Sequence, residues 1–321
     1  MLCVLGDFEA EFGIWRNAES TFLSIRKAFA TSEDRMKYLF DFDGVLTDQT
    51  EEAHRVRALF VEQVERASGW NQARILELFA HAEQEMDRVP HDHGWRFFGR
   101  VSAFSNEDLF VRNNGLASCL DDWMARGKAT VPGVSSFTDL SSVAYDGMLA
   151  ETRSGKLKPI DPFSRTLMEG LLSRGHDVVV VSNSGTDRIV QLLESVGLQP
   201  EAHASNPRAR LRVRGDARKF ELGSEIRVRP VGPYPVDVSR PVYERILREE
   251  VPSAVIGDVF SLDLALPLEL ARSESPRFGG LRAYLRVRPY TPNWSREYVQ
   301  TCAPTAHAST HLLEQLSDLL E

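Results

Sequence analysis

The sequence predicts an α/β protein with a doubly wound parallel sheet and an inserted, mostly helical domain. Short apolar runs that suit buried strands alternate with helical segments along much of the chain, which is typical of parallel sheets. The four consecutive valines at 178–181 are apolar on both faces, as expected of a strand inside such a sheet. By contrast, strand signals are few between residues 49 and 130. That block therefore predicts the helical insert.

The N-terminal part of the sheet and the insert follow from hydrophobic spacing. A short buried strand is expected at Tyr38 to Asp41. Apolar residues at helical spacing then predict two amphipathic helices, over Glu51–Ala67 and Asn71–Asp87. After the insert, two prolines and an acidic cap predict a helix over Phe163–Ser173, just before the valine strand.

The C-terminal half continues the alternation. A helix is expected over Thr186–Val196, and Leu211–Val213 is expected to pair with Ile226–Val228 as a hairpin. A second short buried strand is predicted at Ser253–Ile256. The remaining predictions are helices over Pro241–Glu250, Leu262–Leu270 and His311–Leu320, and an alternating strand over Leu281–Val287.

Length and spacing also predict the domain organisation. The 321 residues, 42% hydrophobic and 26% charged, suffice for one large or two modest domains. Residues 1–36 are predicted to be an N-terminal extension whose role the sequence leaves open. Residues 37–48 and 158–321 are predicted to form the α/β core, and residues 49–157 the helical insert.

Charge and cysteine content limit the partners and the compartment. The formal net charge of −8 argues against nucleic acid as the main partner, because phosphate backbones favour a basic surface. No apolar run is long enough to span a membrane. The three cysteines, Cys3, Cys119 and Cys302, are far apart and form no zinc or disulfide pattern. These features favour a reducing compartment, and we expect the protein to be cytoplasmic.

Two aspartates at the end of the first strand carry the strongest chemical signal. Alternate residues of an extended chain point the same way, so Asp41 and Asp43 are expected to leave the strand side by side. Burying two carboxylates is costly unless positive charge is near. A divalent cation and a charged substrate would provide it, which makes this segment a candidate for phosphoryl chemistry.

Two further strand ends carry polar residues: Ser182 and Asn183 after the valine strand, and Asp258 with Asp263 after the strand at 253–256. Taken alone, each cluster has an ordinary explanation as a turn, a calcium-type loop or a helix cap. In a doubly wound sheet, however, ligands gather beyond the carboxyl ends of the strands. We therefore expect the three clusters to converge.

This arrangement resembles the haloacid dehalogenase superfamily. Its first motif is similar to Asp41–Asp48 (DFDGVLTD), its second to Val178–Asn183 (VVVVSN) and its fourth to Gly257–Asp263 (GDVFSLD). The family also needs one basic residue between the second and fourth motifs. Lys219 is preferred because it is the only lysine in that interval. The alternative is Arg240, which precedes a proline where the family commonly has a Lys-Pro pair.

The resemblance implies a Mg²⁺-dependent phosphatase that hydrolyses a small phosphorylated metabolite through an aspartyl-phosphate. It implies a HAD-like core with a C1-type helical cap at residues 49–157. Asp41 would be the nucleophile and Asp43 the general acid and base. Phosphate would be bound by Ser182, the N–H of Asn183 and Lys219. Mg²⁺ would be bound by Asp41, the carbonyl of Asp43, Asp258 and, through water or as an outer partner, Asp263.

Two alternatives stay open: a phosphomutase of the same superfamily, and a HAD-fold protein that binds a phosphorylated ligand without turnover. A dehalogenase is disfavoured because such enzymes lack an acid at the place of Asp43. Within the insert, His91, His93, Arg96 and Arg100 are close in sequence and could reach an anionic substrate. For the two histidines a surface or core position is preferred. A metal site is the alternative, but no neighbour in sequence completes it.

Overall fold

The computed structural model describes residues 35–157 and 160–321. Most of the predicted N-terminal extension, including Cys3, lies outside these ranges. Residues 37–321 belong to one unit. None of the helices within the described ranges is both long and apolar enough to cross a lipid bilayer.

The strands and helices of the described ranges are numbered along the chain. The strands are β1 (Lys37–Phe40), β2 (Gly94–Phe97), β3 (Arg100–Phe104), β4 (Asp177–Val181), β5 (Glu201–Ala202), β6 (Leu211–Arg214), β7 (Val228–Val231), β8 (Tyr234–Asp237), β9 (Ala254–Gly257), β10 (Leu281–Arg286) and β11 (Ala308–Leu313). The helices are α1 (Thr50–Ser68), α2 (Gln72–Arg88), α3 (Leu109–Ala125), α4 (Phe137–Arg153), α5 (Ser164–Ser173), α6 (Thr186–Ser195), α7 (Pro241–Glu250), α8 (Ala265–Ser273), α9 (Ser275–Phe278) and α10 (Asn293–Thr301).

Seven strands of the described chain form a parallel sheet in the order β11-β10-β9-β1-β4-β6-β5. The predicted doubly wound α/β fold is confirmed. The chain extends from β1 towards both edges of the sheet, so the strand order reverses beside β1. Ligands of open α/β sheets bind beyond the carboxyl ends of the strands at such a reversal. The topology therefore places the expected site at the end of β1.

The valine strand β4 is buried on both faces, as its composition predicts. Val178, Val179, Val180 and Val181 are all fully buried. Val179 and Val181 join an apolar cluster with residues of α7, α8 and α10. Because side chains alternate along a strand, Val178 and Val180 face the opposite side. Helices thus cover the sheet from both sides.

The insert has a hydrophobic cluster of its own, drawn from helices α1 to α4. Phe60 and Phe79 stack with ring centroids 4.9 Å apart, and Phe137 meets both rings edge-on. The insert also contains the antiparallel hairpin β2–β3, which the helical pattern did not predict. Its two turn residues, Phe98 and Gly99, both have positive φ. A phenylalanine is unusual in such a turn, so the sequence carried no clear hairpin signal.

The predicted hairpin between Leu211–Val213 and Ile226–Val228 is wrong. Residues 211–214 form β6, which pairs in parallel with β4 inside the sheet, whereas β7 pairs with β8. Arginines in a strand would ordinarily lie at the protein surface. Instead Arg212 and Arg214 are buried and form ion pairs with Glu250 at the end of α7. The ion pairs allow a strand with alternating charges to lie inside the sheet.

The predicted closing helix over His311–Leu320 is also wrong. Its first residues belong to β11, the edge strand that pairs with β10, and a 3₁₀ turn over Leu316–Leu320 follows. Most residues of β11 are only partly buried. An edge strand with one partner contains polar residues, so it lacks the apolar run that reveals a central strand.

Candidate active site

The central strand β1 delivers the two predicted aspartates to the carboxyl edge of the sheet. The N–H of Asp41 donates to the carbonyl of Ile256 at 2.8 Å, which continues the pairing with β9. Phe42 is fully buried between the two aspartates. Asp41 is buried, while the side chain of Asp43 is about one quarter exposed. Gly44 follows with φ +78°, a conformation that glycine adopts without strain.

Lys219 lies directly against the first aspartate. Its Nζ donates to Asp41 Oδ1 at 2.7 Å and to Asp263 Oδ1 at 2.8 Å, and its side chain is 1% exposed. The loop that carries it is attached to the second motif, because the Lys219 N–H donates to Asn183 Oδ1 at 2.6 Å. Arg240, the alternative, donates to the carbonyls of Lys219 and Ser102. The structure thus brings Lys219 to Asp41, while Arg240 supports the loop from behind.

The second motif contacts Asp43. Ser182 Oγ donates to Asp43 Oδ2 at 3.1 Å, and Ser184 Oγ donates to the same oxygen at 2.6 Å. Ser182 Oγ in turn accepts from the N–H of Ser184 at 3.0 Å. Ser182 and Asn183 therefore lie beside the two aspartates, as the convergence of strand ends predicts.

The fourth motif completes the group of carboxylates. Asp258 follows β9, and Asp263 lies in a single π-helical turn over Phe260–Leu264. Asp263 Oδ2 accepts from the N–H of Val259 at 3.1 Å. Asp258 Oδ2 accepts from the hydroxyl of Tyr290 at 3.0 Å. Asp258 Oδ1 is buried and has no hydrogen-bond partner among the described residues, so one carboxylate oxygen is left for another ligand.

The charges at this site favour an added cation. Asp41, Asp258 and Asp263 are all buried, and one oxygen of each lies within 4.8 Å of the others. Burial raises the pKa of Asp41 to about 8, with Lys219 opposing the rise and Asp263 adding to it. Burial and the carboxylates of Asp263 and Asp41 raise the pKa of Asp258 as well. One ammonium does not balance three carboxylates. Oxygen ligands in this arrangement fit Mg²⁺.

Arg188 and Glu52 also belong to the site, although sequence reasoning missed them. Arg188 donates to Asp43 Oδ1 at 2.8 Å and to both oxygens of Glu52 at 3.1 Å. Burial alone would lower the pKa of Arg188, but the two carboxylates raise it above its ordinary value. Glu52 is 1% exposed and also accepts from Thr152 Oγ1 at 2.6 Å. Arg188 thus joins Asp43 to the first and last helices of the insert.

Glu107 connects the insert to the fourth motif. Its carboxylate accepts from the N–H of Ser261 at 2.9 Å, from Ser261 Oγ at 2.5 Å and from the N–H of Phe104 at 3.0 Å. Burial raises the pKa of Glu107 to about 7, against these hydrogen bonds and the nearby Arg240. The insert is therefore held against the loop that carries Asp258 and Asp263.

A cavity of about 590 Å³ opens between the insert and the ends of the strands. The motif residues Asp41, Asp43, Ser182, Asn183, Asp258 and Asp263 line its core side. On the insert side it is lined by Trp95, Arg96, Asp108, Phe110, Asn113, Asn114, Tyr145 and Asp146, among others. Of the four basic residues singled out in the insert, Arg96 lines this cavity. A second cavity of about 560 Å³ is lined by all four of these residues, His91, His93, Arg96 and Arg100.

Comparison with known proteins gives only distant likenesses. No family model matches the chain, and no curated protein is similar to it. Among solved structures, CbbY of Rhodobacter sphaeroides in complex with phosphate shares 15% identity at a TM-score of 0.43, over 89% of this chain and 96% of that one. A haloacid dehalogenase-like hydrolase of Streptococcus pneumoniae shares 12% identity at a TM-score of 0.42, and the match covers 90% of this chain and 98% of that one. A haloacid dehalogenase-like hydrolase of Xanthomonas campestris shares 13% identity at a TM-score of 0.41, and the match covers 89% of each chain. Similarity this distant carries no argument about activity. Two of these three proteins are described by the same family that the sequence motifs resemble.

Proposed function

We propose that this chain is a phosphatase of the haloacid dehalogenase superfamily that hydrolyses a small phosphorylated metabolite and uses Mg²⁺. The observation that carries the proposal is the contact of Lys219 with Asp41. It places an ammonium 2.7 Å from a buried carboxylate at the end of the central strand. A carboxylate nucleophile and the cation that binds the phosphoryl oxygens must both approach one phosphorus atom, so their adjacency supports this chemistry.

The reaction is expected to proceed in two steps. Asp41 attacks phosphorus in line, the bond from phosphorus to the leaving oxygen breaks, and an aspartyl-phosphate forms. Asp43 donates a proton to the leaving oxygen. Asp43 then takes a proton from a water molecule, whose oxygen attacks phosphorus and releases phosphate and the Asp41 carboxylate. The hydrogen bond from Ser184 orients the Asp43 side chain for both transfers, which leaves the Ser182 hydroxyl to turn from Asp43 to the phosphate.

The phosphoryl oxygens would be bound by Lys219, the hydroxyl of Ser182 and the N–H of Asn183. Asp41, the carbonyl of Asp43 and Asp258 would hold Mg²⁺. Asp263 would support them as an outer partner, because its two oxygens already accept from Lys219 and from the N–H of Val259. When bound, the ion would offset the repulsion between these carboxylates and the phosphate. The free Oδ1 of Asp258 is the observation that fits this ligand set.

The cavity supports a small substrate. Its volume of about 590 Å³ is within the roughly 300–1,000 Å³ usual for small-molecule sites. Asn113, Asn114 and Tyr145 add polar groups on the insert side. These groups suit the hydroxyls of a small metabolite, while the motif residues face its phosphate.

A panel of phosphomonoesters, assayed for released phosphate with and without Mg²⁺, tests the proposal. We expect Mg²⁺-dependent turnover of at least one member and its loss in Asp41→Asn. Asp48→Asn is the matched control, since Asp48 is exposed in the same segment. Absence of turnover by the unmodified chain, or unchanged turnover in Asp41→Asn, would contradict the proposal. An isomerised phosphosugar without free phosphate would indicate a mutase instead.

A further inference from the structure

A second cluster of potential metal ligands lies in the helical insert. Glu85 of α2, His93 just before β2 and Cys119 of α3 each place one potential ligand atom within 4.8 Å of the others. His93 is 8% exposed and Cys119 is 1% exposed. The sequence pointed to His93 but offered no neighbour to complete a site. The fold supplies the other two ligands from separate helices.

His93 also has an unpartnered nitrogen. Its Nδ1 is buried and has no hydrogen-bond partner within the described ranges. Leaving a buried polar group unsatisfied costs about 1–3 kcal/mol, so the nitrogen favours a ligand. Cys119 is a free thiol beside it. This observation is independent of the clustering, because a core histidine would usually bond both ring nitrogens.

We propose that Glu85, His93 and Cys119 form a second metal site, which takes a Zn²⁺-type ion and is separate from the candidate active site. Sulfur, imidazole nitrogen and carboxylate oxygen together are typical of zinc, whereas Mg²⁺ and Ca²⁺ prefer oxygen alone. Ligands around tetrahedral zinc lie roughly 3.5 Å apart. The present atoms lie within 4.8 Å of one another, so they need to close by at most about 1.3 Å. Water or the carboxylate of Asp122, which lines the same cavity, would fill the fourth position.

The surroundings of the group permit binding. Lys128 forms an ion pair with Glu85, with Nζ 3.4 and 3.2 Å from the two carboxylate oxygens. The pair is weak because the Lys128 side chain is about half exposed, so one oxygen can turn to an ion. The adjacent cavity of about 560 Å³ is lined by Glu85, His93 and Cys119 and gives an ion access.

The site has a structural consequence for the first cavity. A bound ion would join α2, α3 and the segment that leads into β2. Trp95 and Arg96 of that strand line the candidate active site. The Trp95 ring meets Phe220, the neighbour of Lys219, with centroids 5.8 Å apart. The ion would therefore fix the hairpin that covers the phosphate-binding loop.

Metal analysis of the full chain tests the inference. The protein is freed of metal with a chelator, saturated with Mg²⁺ and dialysed against Zn²⁺, and zinc is then counted per chain. Replacement by Co²⁺ gives a second readout, because a thiolate ligand produces a charge-transfer band in the near ultraviolet. The variants are Cys119→Ser, His93→Gln and Glu85→Gln. The controls are His81→Gln, exposed on α2, and Cys302→Ser.

We expect one zinc bound per chain in the presence of Mg²⁺ and a thiolate-to-cobalt band in the unmodified protein. Loss of a residue that only supports a metal ligand weakens metal binding by roughly 10- to 100-fold. Each ligand variant should weaken zinc binding by more than that, and the two control variants should leave it unchanged. Absence of the cobalt band, or zinc binding unchanged in His93→Gln and Glu85→Gln, would overturn the inference. If Cys119→Ser fails to fold, the inference stands only if the band persists in Cys3→Ser and Cys302→Ser and is lost in His93→Gln. None of these readouts requires phosphatase activity.

Discussion

Replacement of Lys219 by methionine is the sharpest test of the site's electrostatics. The substitution keeps most of the side-chain volume and removes one buried charge. The ammonium lies 2.7 Å from Asp41 and 2.8 Å from Asp263. At an effective dielectric constant of about 20, each contact is worth roughly 6 kcal/mol before the cost of burial. Burial cancels much of this, and breaking a buried ion pair typically costs about 3–5 kcal/mol.

Two results are therefore expected of Lys219→Met. The free energy of unfolding of the metal-free protein should fall by about 3–5 kcal/mol, because the carboxylates lose their partner. Turnover of the folded variant should fall by about 10²- to 10³-fold, the usual effect of removing one group that stabilises transition-state charge. Urea unfolding and phosphate release measure the two quantities. Lys128→Met is the matched control, because Lys128 is an exposed lysine of the insert.

A folded Lys219→Met that turns over substrate at the unmodified rate would contradict the proposed role of Lys219. The same role would be contradicted if Lys128→Met lost as much stability as Lys219→Met. The burial of Lys219 raises one complication, since the variant could unfold at assay temperature. Bound Mg²⁺ would offset the unpaired carboxylates, so assays at saturating Mg²⁺ and low temperature should keep the rate measurable.

Three further predictions follow from the geometry. A Cβ at Gly44 would overlap the carboxylate of Asp258. Gly44→Ala should therefore abolish the rise in melting temperature that Mg²⁺ causes. Gly69→Ala is the control, because Gly69 has a similar φ but open space around it, and it should keep the rise. Equal responses of the two variants to Mg²⁺ would contradict the assignment of Asp258 as a ligand. The pKa of Glu107 is raised from 4.5 to about 7, so the folded state binds its proton more tightly, and this stabilisation is complete below pH 4.5 and lost as the pH rises through 7. Glu107 should therefore account for about 3 kcal/mol of the fall in stability over that window. In urea unfolding, Glu107→Gln should make the fall smaller by that amount, while the contribution of Asp41, whose pKa is also raised, remains. An unchanged slope would show that Glu107 does not contribute. Arg188→Met removes the cation that pairs with Asp43 and with the fully buried Glu52. The free energy of unfolding should therefore drop by about 3–5 kcal/mol. A drop below about 1 kcal/mol would contradict the ion-pair network.

Elements with a strong local signal could be predicted from the sequence. The four valines of β4 are apolar on both faces, which only a buried strand explains. Asp41, Asp43 and Asp258 each follow an apolar run, so their place at strand ends could be foreseen. Lys219 could be foreseen because no other lysine competes for its interval. For the valine strand and the aspartates the decisive information lies within a few neighbouring residues, whereas Lys219 required the family resemblance and the composition of the whole interval.

Features that depend on distant partners could not be predicted. In the sequence, nothing distinguishes Arg188 of α6 from an ordinary surface arginine. Its role arises from its ion pairs with Asp43 and Glu52, which only the fold brings near it. The buried arginines of β6 need Glu250 of α7 to neutralise them. The spacing of residues along the sequence does not predict ion pairs between distant segments. The same holds for the proposed metal site in the insert, whose three residues come from three separate segments.

Trapping the covalent intermediate tests the central claim most directly. The protein is mixed with acetyl phosphate and Mg²⁺, quenched in acid within milliseconds, digested and mapped by mass spectrometry. We expect one phosphoryl group on the peptide that contains residues 41–48, located at Asp41 and absent from Asp41→Asn. A phosphoryl group on another residue, or turnover with no modified aspartate at any quench time, would contradict it.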